Sequence, residues 1–253
     1  IASKKLLLKQ MKKLNFNFKI NLIDKNQSNF KSLNNKKINL IDVEFKFNKT
    51  FDKISNRSNI YISKCFEIAL KLMKKKKFSG LINGPISKKH FLNEKFLGIT
   101  EYLASKTIND NKFAMLIFNK KLSVSPLTTH LALKNVSKNI AKQDIYNHVK
   151  LITEFYKSKF RKVPSIAITG LNPHCESNFQ NSEEISTIIP AIKEIKKKHF
   201  KVNGPFAADT IFMKENFKKY DVILGMYHDQ VLAPMKTLFG FDAINITLGL
   251  PFI

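Results

Sequence analysis

Short apolar runs alternate with amphipathic segments of helical period along most of the chain. Strands are predicted at 113–118, 121–127, 164–170, 221–226 and 243–248, and helices at 142–159, 183–198 and 210–219. In the first of these helices one apolar stripe is assigned to the core: Ile145, Val149, Ile152 and Phe155. Strands that alternate with helices of this length are typical of an α/β fold with mostly parallel sheets and helices on both faces.

The first part of the chain carries weaker signals. Residues 38–47 predict a strand, and a helix follows with apolar residues at helical spacing: Ile62, Phe66, Ala69, Leu70 and Met73. The cations of 74–77 suit the C-terminus of that helix. Residues 80–82 predict a short strand that enters a tight turn at Asn83-Gly84-Pro85, after which Ser87 can cap a helix. Backbone N–H groups of this turn, together with Lys88, could hold an anion. The Asn- and Lys-rich stretch 25–37 predicts a surface loop.

Three of the six histidines stand directly after predicted strands. They are His130 in Thr-Thr-His, His174 in Asn-Pro-His and His228 in Tyr-His-Asp-Gln. In parallel sheets ligands collect beyond the carboxyl ends of the strands, and imidazole is a common metal ligand and general base. No local spacing motif joins the three, so the residues alone leave open both a shared site and three separate hydrogen-bonded histidines. The remaining histidines fall within or at the ends of predicted helices and are interpreted as structural: His90, His148 and His199.

Composition narrows the class of protein. The chain has 253 residues, 43% of them hydrophobic, and no apolar run approaches the roughly 20 residues of a membrane span. Only Cys65 and Cys175 are present, which favours a reducing, cytoplasmic setting over a disulfide framework. The net charge of +25 raises the question of nucleic-acid binding. However, Arg57 and Arg161 are the only arginines among the 44 basic residues, and the wealth of Lys, Asn, Ile and Phe indicates an AT-rich genome. Because base readout favours Arg, we expect no nucleic-acid partner. Because no apolar run is long enough for a membrane span, we also expect no membrane partner.

Seven segments, in order along nearly the whole chain, resemble the 4-hydroxythreonine-4-phosphate dehydrogenase family of pyridoxal phosphate biosynthesis. The segments are Gly84-Pro85 with Lys88, Gly98 with Thr100-Glu101, Thr128 to Leu131, Gly170 to His174, Asn203-Gly204-Pro205 with Ala208-Asp209-Thr210, Met226 to Gln230, and Asn245 to Ile253. The resemblance implies an isopropylmalate-dehydrogenase-like α/β fold of two domains with a cleft. We expect one domain from 1–120 and 232–253, incomplete at both ends, and another from 121–231. It also implies a cytoplasmic homodimer with its active site at the interface.

The resemblance further implies a divalent Zn, Mg or Co ion held by His130, His174 and His228, and substrate contacts from Thr100, Lys236 and Asn245. The reaction it implies is oxidation of 4-phosphooxy-L-threonine at the C3 hydroxyl by NAD (or NADP), followed by decarboxylation to 3-amino-2-oxopropyl phosphate. Asp229 and Lys88 are both candidates for the catalytic base. No residue is assigned to the nicotinamide cofactor.

The chain departs from the family pattern at Ile99, where the family often has His before Thr. That difference leaves open a second function, that of a sister dehydrogenase acting on threonate or erythronate phosphate. An alternative from another class is an inactive relative that binds metal or nucleic acid. The chain begins with Ile1, without the glycine-rich first strand that precedes this point in the family. It ends at Ile253, before the Arg that follows in the family, and it lacks the family's His-Gly loop. We therefore expect a fragment that binds a metal but binds NAD poorly.

Overall fold

The computed structural model describes residues 1–26, 30, 33–76, 78–92, 95–96, 98–108, 112–175 and 181–252. The chain forms two compact units, one of residues 1–99 with Phe252 and one of residues 100–251. The expected domain boundaries after residues 120 and 231 both fall inside the second unit. Compact units and expected domains therefore divide the chain differently, and the domain assignment stays a prediction. Among the described residues no helix combines the length and apolar character that crossing a membrane requires.

In its described part, the first unit contains three helices and a small parallel sheet. The elements are α1 (Lys4–Lys13), β1 (Ile20–Leu22), β2 (Ile38–Leu40), α2 (Asn59–Lys74) and α3 (Lys88–Phe91), with a 3-10 turn at Asn56–Ser58. β1 and β2 pair in parallel, and an isolated bridge joins Ala2 to Asp42. Ile23, Ile41 and Leu72 form a buried cluster against the paired rings of Phe30 and Phe78.

Of the two strand predictions in this unit, 38–47 is confirmed only at β2 and 80–82 is wrong. Beyond β2, residues 41–47 form no further described strand, although Asp42 makes the isolated bridge to Ala2. Residues 80–82 form no strand either, and Ile82 is 98% exposed. Ser87 precedes α3, but its hydroxyl contacts Nδ1 of His90 at 2.8 Å rather than capping a backbone N–H. α2 confirms the predicted helix, while Lys77 and part of the loop 25–37 lie outside the described residues.

The second unit is built on a six-stranded, mostly parallel sheet. Its strands are β3 (Ala114–Phe118), β4 (Ser123–Thr128), β5 (Ile166–Thr169), β6 (Val202–Phe206), β7 (Val222–Tyr227) and β8 (Ile244–Leu248), in the spatial order β6-β5-β7-β4-β3-β8. The first four strands of that order run parallel to one another, and β3 pairs antiparallel to both β4 and β8. Five of these strands confirm the sequence pattern.

Helices cover both faces of this sheet. They are α5 (Lys142–Phe160), α6 (Ile189–Lys197), α7 (Ala208–Ile211), α8 (Lys214–Phe217) and α9 (His228–Phe239), with a π-helical turn at Glu184–Ile188. A further helix, α4 (Ile99–Thr107), precedes β3 along the chain. Along β7 the side chains alternate, as they must in a strand. Val222, Leu224 and Met226 join the core beneath α5 and α6, whereas Ile223 joins the core beneath α9. This alternation confirms the predicted fold class.

The predicted core stripe of α5 is confirmed, since Ile145, Val149 and Ile152 are buried and Phe155 packs against the same cluster. The predicted helix 210–219 is wrong in its extent, because the chain there forms two single turns, α7 and α8. β6 has few apolar residues (Val-Asn-Gly-Pro-Phe), which explains why the hydrophobic pattern did not predict it. α4 and α9 were not predicted either.

Candidate metal and substrate site

Three neighbouring parallel strands carry the three histidines at their carboxyl ends. β5, β7 and β4 lie side by side in the sheet, and His174, His228 and His130 follow them respectively. Parallel neighbours end at the same edge of a sheet, which is where α/β proteins bind their ligands. Residues that are 44 and 54 positions apart in sequence therefore share one edge.

His130 and His228 lie close together, with their ring centroids 5.7 Å apart. Each ring has a carboxylate at Nδ1: Oε1 of Glu101 lies 3.3 Å from His130, and Oδ1 of Asp229 lies 2.8 Å from His228. A carboxylate at one ring nitrogen fixes the tautomer in which the other, Nε2, can bind a metal. Two imidazoles on one ion, with Zn–N distances of about 2.0–2.1 Å, place their centroids on the order of 5–6 Å apart. The pair therefore fits a shared divalent cation.

His174 has the same kind of partner but a different setting. Its Nδ1 lies 3.5 Å from Oδ2 of Asp209, and its side chain is 73% exposed. The residue adopts a left-handed backbone conformation at φ 57°, as does Cys175 after it. In the part of the chain that the structure describes, no group of three or more His, Cys, Asp or Glu side chains is arranged to hold a metal ion. The structure thus brings two of the three predicted ligands together and leaves His174 outside that pair.

Glu101 stands in the first turn of α4 and connects that helix to the end of β4. Its Oε1 accepts a hydrogen bond from the hydroxyl of Thr129 at 2.9 Å, and its buried Oε2 has no hydrogen-bond partner among the described residues. Burial opposes ionisation of Glu101, but the hydrogen bonds from His130, from its own backbone and from Thr129 outweigh burial and lower its pKa. Glu101 is therefore a carboxylate that can orient His130.

Glu184 holds the loop that carries His174. Its Oε1 accepts from the backbone N–H groups of Leu171 and Asn172 at 2.7 and 2.8 Å, and its Oε2 accepts from the Asn172 side-chain amide at 2.8 Å. Only 1% of Glu184 is exposed. Burial raises the pKa of this carboxyl, but the hydrogen bonds from Asn172 and Leu171 outweigh that effect, so the net pKa is lowered. Gly170 is required here, since an added Cβ would lie 3.0 Å from Oε1 of Glu184 and 2.7 Å from Sγ of Cys175.

The three residues expected to contact substrate all lie in the second unit. Thr100 is buried, and its hydroxyl lies 3.2 Å from that of Thr247 on β8. Asn245 is exposed on β8, at the edge of the sheet, and Lys236 is exposed on α9. The first turn of α4 therefore connects to β8 through Thr100 and to the end of β4 through Glu101.

The two candidate bases differ in their surroundings. Asp229 is exposed and is already engaged with Nδ1 of His228. Lys88 begins α3 in the first unit, after a turn in which the Asn83 amide donates to the Gly84 carbonyl at 3.0 Å. That turn does not follow a strand, so the expected strand-end setting of the Gly84–Lys88 segment is wrong.

The sequence interpretation assigned no role to four polar residues around these histidines: Glu101, Asp209, Glu184 and Gln230. Three of them stand within the segments that carry the family resemblance, but none is close in sequence to every group it contacts. Glu101 precedes His130 by 29 residues, and Asp209 follows His174 by 35. Nothing local in the chain signals such pairs.

Comparison with known proteins places this chain in a family. A curated 4-hydroxythreonine-4-phosphate dehydrogenase from a Sulfurihydrogenibium species is 39% identical over 220 residues, which are 85% of this chain and 66% of that protein. The enzyme of the same name from Aquifex aeolicus is 42% identical over 179 residues, 69% of this chain and 54% of that protein. The chain thus matches between about half and two thirds of the length of these relatives.

The fold comparison agrees. The crystal structure of 4-hydroxythreonine-4-phosphate dehydrogenase from Klebsiella pneumoniae superimposes with a TM-score of 0.82 at 27% identity, and the match covers 100% of this chain and 77% of that one. The chain therefore has an α/β fold of the isopropylmalate-dehydrogenase-like class. Residues 1–253 match the family described as pyridoxal phosphate biosynthetic protein PdxA, and the chain belongs to that family.

Proposed function

We propose that this chain is part of a metal-dependent dehydrogenase that oxidises 4-phosphooxy-L-threonine at its C3 hydroxyl, with NAD as hydride acceptor. The resulting 3-keto acid loses carbon dioxide to give 3-amino-2-oxopropyl phosphate. Membership of the family and the names of its relatives support the reaction class. The observation that carries the proposal is the adjacent pair of His130 and His228, each with a carboxylate at Nδ1.

The proposed metal ligands are the neutral imidazoles of His130, His174 and His228. A bound Zn, Mg or Co ion would supply Lewis-acid chemistry, which favours loss of the hydroxyl proton and stabilises negative charge on that oxygen during decarboxylation. Glu101 and Asp229 would hold the rings of His130 and His228 in the tautomer that this role requires, and Asp209 lies 3.5 Å from Nδ1 of His174. The position of His174 outside the pair in a single chain supports a homodimer in which a second copy completes the site.

The remaining roles belong to groups that hold substrate or move a proton. Lys236, on an exposed face of α9, would bind the substrate phosphate by charge, and Asn245 would hydrogen-bond the substrate from β8. Thr100 would act at the start of α4, where the family's preceding His is replaced by Ile99. Asp229 or Lys88 would accept the proton as hydride leaves.

A direct assay tests the reaction. The protein that carries this chain should reduce NAD with 4-phosphooxy-L-threonine, and a chelator such as EDTA should abolish turnover until zinc or cobalt is restored. Phosphorylated threonate and erythronate are the matched comparison substrates, because they replace the amino group by a hydroxyl. Faster turnover on either of them than on 4-phosphooxy-L-threonine would contradict the proposed substrate and favour the sister dehydrogenase.

A single substitution tests the carboxylate beside His130. Glu101→Gln should lower zinc affinity by roughly 10–100-fold, the usual cost of losing the partner that orients a metal-bound histidine. Isothermal titration with zinc measures this change. Glu154→Gln is the control, because Glu154 is exposed on α5 and pairs with Lys150 of the same helix. Equal zinc affinities for the Glu101 and Glu154 variants would show that Glu101 does not support the site.

A further inference from the structure

The side-chain amide of Gln230 lies at a junction between two of the strand ends. Gln230 stands in the first turn of α9, two residues after His228, and is only 8% exposed. Its Oε1 accepts from the backbone N–H of Met226 on β7 at 2.6 Å and from the hydroxyl of Thr169 on β5 at 2.9 Å. Its Nε2 donates to the carbonyl of Gly170 at 2.8 Å. One amide group therefore joins the carboxyl ends of β5 and β7.

The same network reaches the third strand. The buried hydroxyl of Thr128, the last residue of β4, donates to the carbonyl of Met226 at 2.7 Å. The backbone of Met226 thus accepts a hydrogen bond from Thr128 at its carbonyl and donates one to Gln230 through its N–H. The connected groups stand two residues before His130, two before His228 and four before His174. Buried hydrogen bonds of this kind restrict how far the three strand ends can separate.

The packing around Gln230 leaves little room for adjustment. A Cβ added at Gly225 would lie 2.3 Å from Cγ1 of Val231 and 3.0 Å from Oε1 of Gln230. The first turn of α9 therefore packs directly against the end of β7. On the other side of the network, Glu184 holds the backbone of Leu171 and Asn172.

We propose that Gln230 is a positioning residue, whose buried amide sets the relative placement of the three strand ends and hence of His130, His174 and His228. The inference rests on the proposed metal site and deepens it. Metal affinity depends on ligands held within a fraction of an ångström of their coordination geometry, and supporting hydrogen bonds supply that precision. Gln230 touches neither metal nor substrate in this role; it acts through the strand ends.

Gln230→Met tests the role, because Met has a similar length but cannot make the three hydrogen bonds. We expect cobalt affinity to fall by roughly 10–100-fold, with a change in the intensity of the visible Co²⁺ bands as the coordination geometry distorts. Cobalt titration of the apo protein, followed by absorption and calorimetry, measures both. Gln143→Met is the chemical control, because Gln143 is an exposed glutamine of α5 whose side chain donates to Asn147 of the same helix. Ile152→Val, in the buried stripe of α5, is the control for lost stability alone.

Thr169→Val provides a milder variant should Gln230→Met fail to fold. It removes one of the three bonds and should lower cobalt affinity less than Gln230→Met does. In the Gln230→Met background it should add little, since the Thr169 hydroxyl acts through Gln230. A purely structural role would lower stability and leave the affinity and spectrum of the folded protein unchanged.

The outcomes separate this inference from the proposed function. If the wild-type protein binds one equivalent of cobalt and the folded Gln230 and Thr169 variants bind it equally well, Gln230 is not a positioning residue, while the metal site stands. If the wild-type protein binds no cobalt, the metal site and the inference fail together. A weakened, spectrally altered site in Gln230→Met, with both controls unchanged, supports the inference.

Discussion

His174→Ala is expected to abolish stoichiometric zinc binding and leave the fold intact. The side chain is largely exposed, so its removal costs little packing, but a site held by three imidazoles would lose one of its ligands. The affinity should therefore fall by more than the roughly 10–100-fold expected for loss of an orienting partner such as Glu101. Metal analysis of dialysed protein measures the stoichiometry, and circular dichroism checks the fold.

His199→Ala is the matched control for this variant. Both residues are exposed and both adopt a left-handed backbone, at φ 57° for His174 and φ 61° for His199. The backbone cost of introducing Ala is therefore the same, and any difference in metal content reports the ligand. Full zinc content in the His174 variant would refute a site shared by the three histidines.

The same variant tests whether a second copy completes the site. If His174 of one subunit joins His130 and His228 of another, mixing the inactive His174→Ala and His228→Ala proteins regenerates intact sites. Random pairing into dimers makes half of them mixed, each with one intact site of two, so about a quarter of wild-type activity should return. Inactive mixtures after subunit exchange would place all three ligands within one chain.

Glu184→Gln is expected to lower the free energy of unfolding by about 3 kcal/mol at neutral pH. The buried carboxylate accepts two backbone N–H groups and the Asn172 amide, and a neutral amide would turn an NH₂ group toward one of these donors. Urea denaturation measures the difference. Glu154→Gln, on the exposed face of α5, should change stability by no more than about 0.5 kcal/mol.

The effect of Glu184 should also depend on pH. Because the folded-state pKa of Glu184 is lowered from its ordinary value of 4.5, its contribution to stability is fully present above that value and is lost as pH falls through the folded pKa. The stability difference between wild type and Glu184→Gln should therefore be constant near neutrality and shrink in acid. A difference that persists unchanged well below pH 4.5 would show that the charge of Glu184 is not what stabilises the loop.

Strong hydrophobic periodicity predicted most of the second unit. The stripe of α5 and the apolar runs of β3, β4, β5, β7 and β8 are long enough for pattern to decide both the type and the approximate limits of each element. β6 escaped prediction because Asn, Gly and Pro occupy its centre, and it is a strand only because β5 offers a hydrogen-bonding partner. In the first unit, the segment 80–82 has the apolar composition of a strand, but no described strand lies beside it, so its local preference for a strand was not realised.

What the sequence by itself determined is the α/β class, the placement of three histidines after strands, and the family to which the ordered motifs belong. The sequence could do this because strand and helix periods, and the residues that end a strand, are local properties of the chain. Only the tertiary structure decided that β5, β7 and β4 are neighbours and that His130 and His228 lie together while His174 stands apart. It also decided that Glu101 contacts His130, that Glu184 bonds the loop before His174, and that Gln230 bonds the ends of β5 and β7. Those relations join residues that are distant along the chain, through hydrogen bonds that form only when the strands have assembled into a sheet.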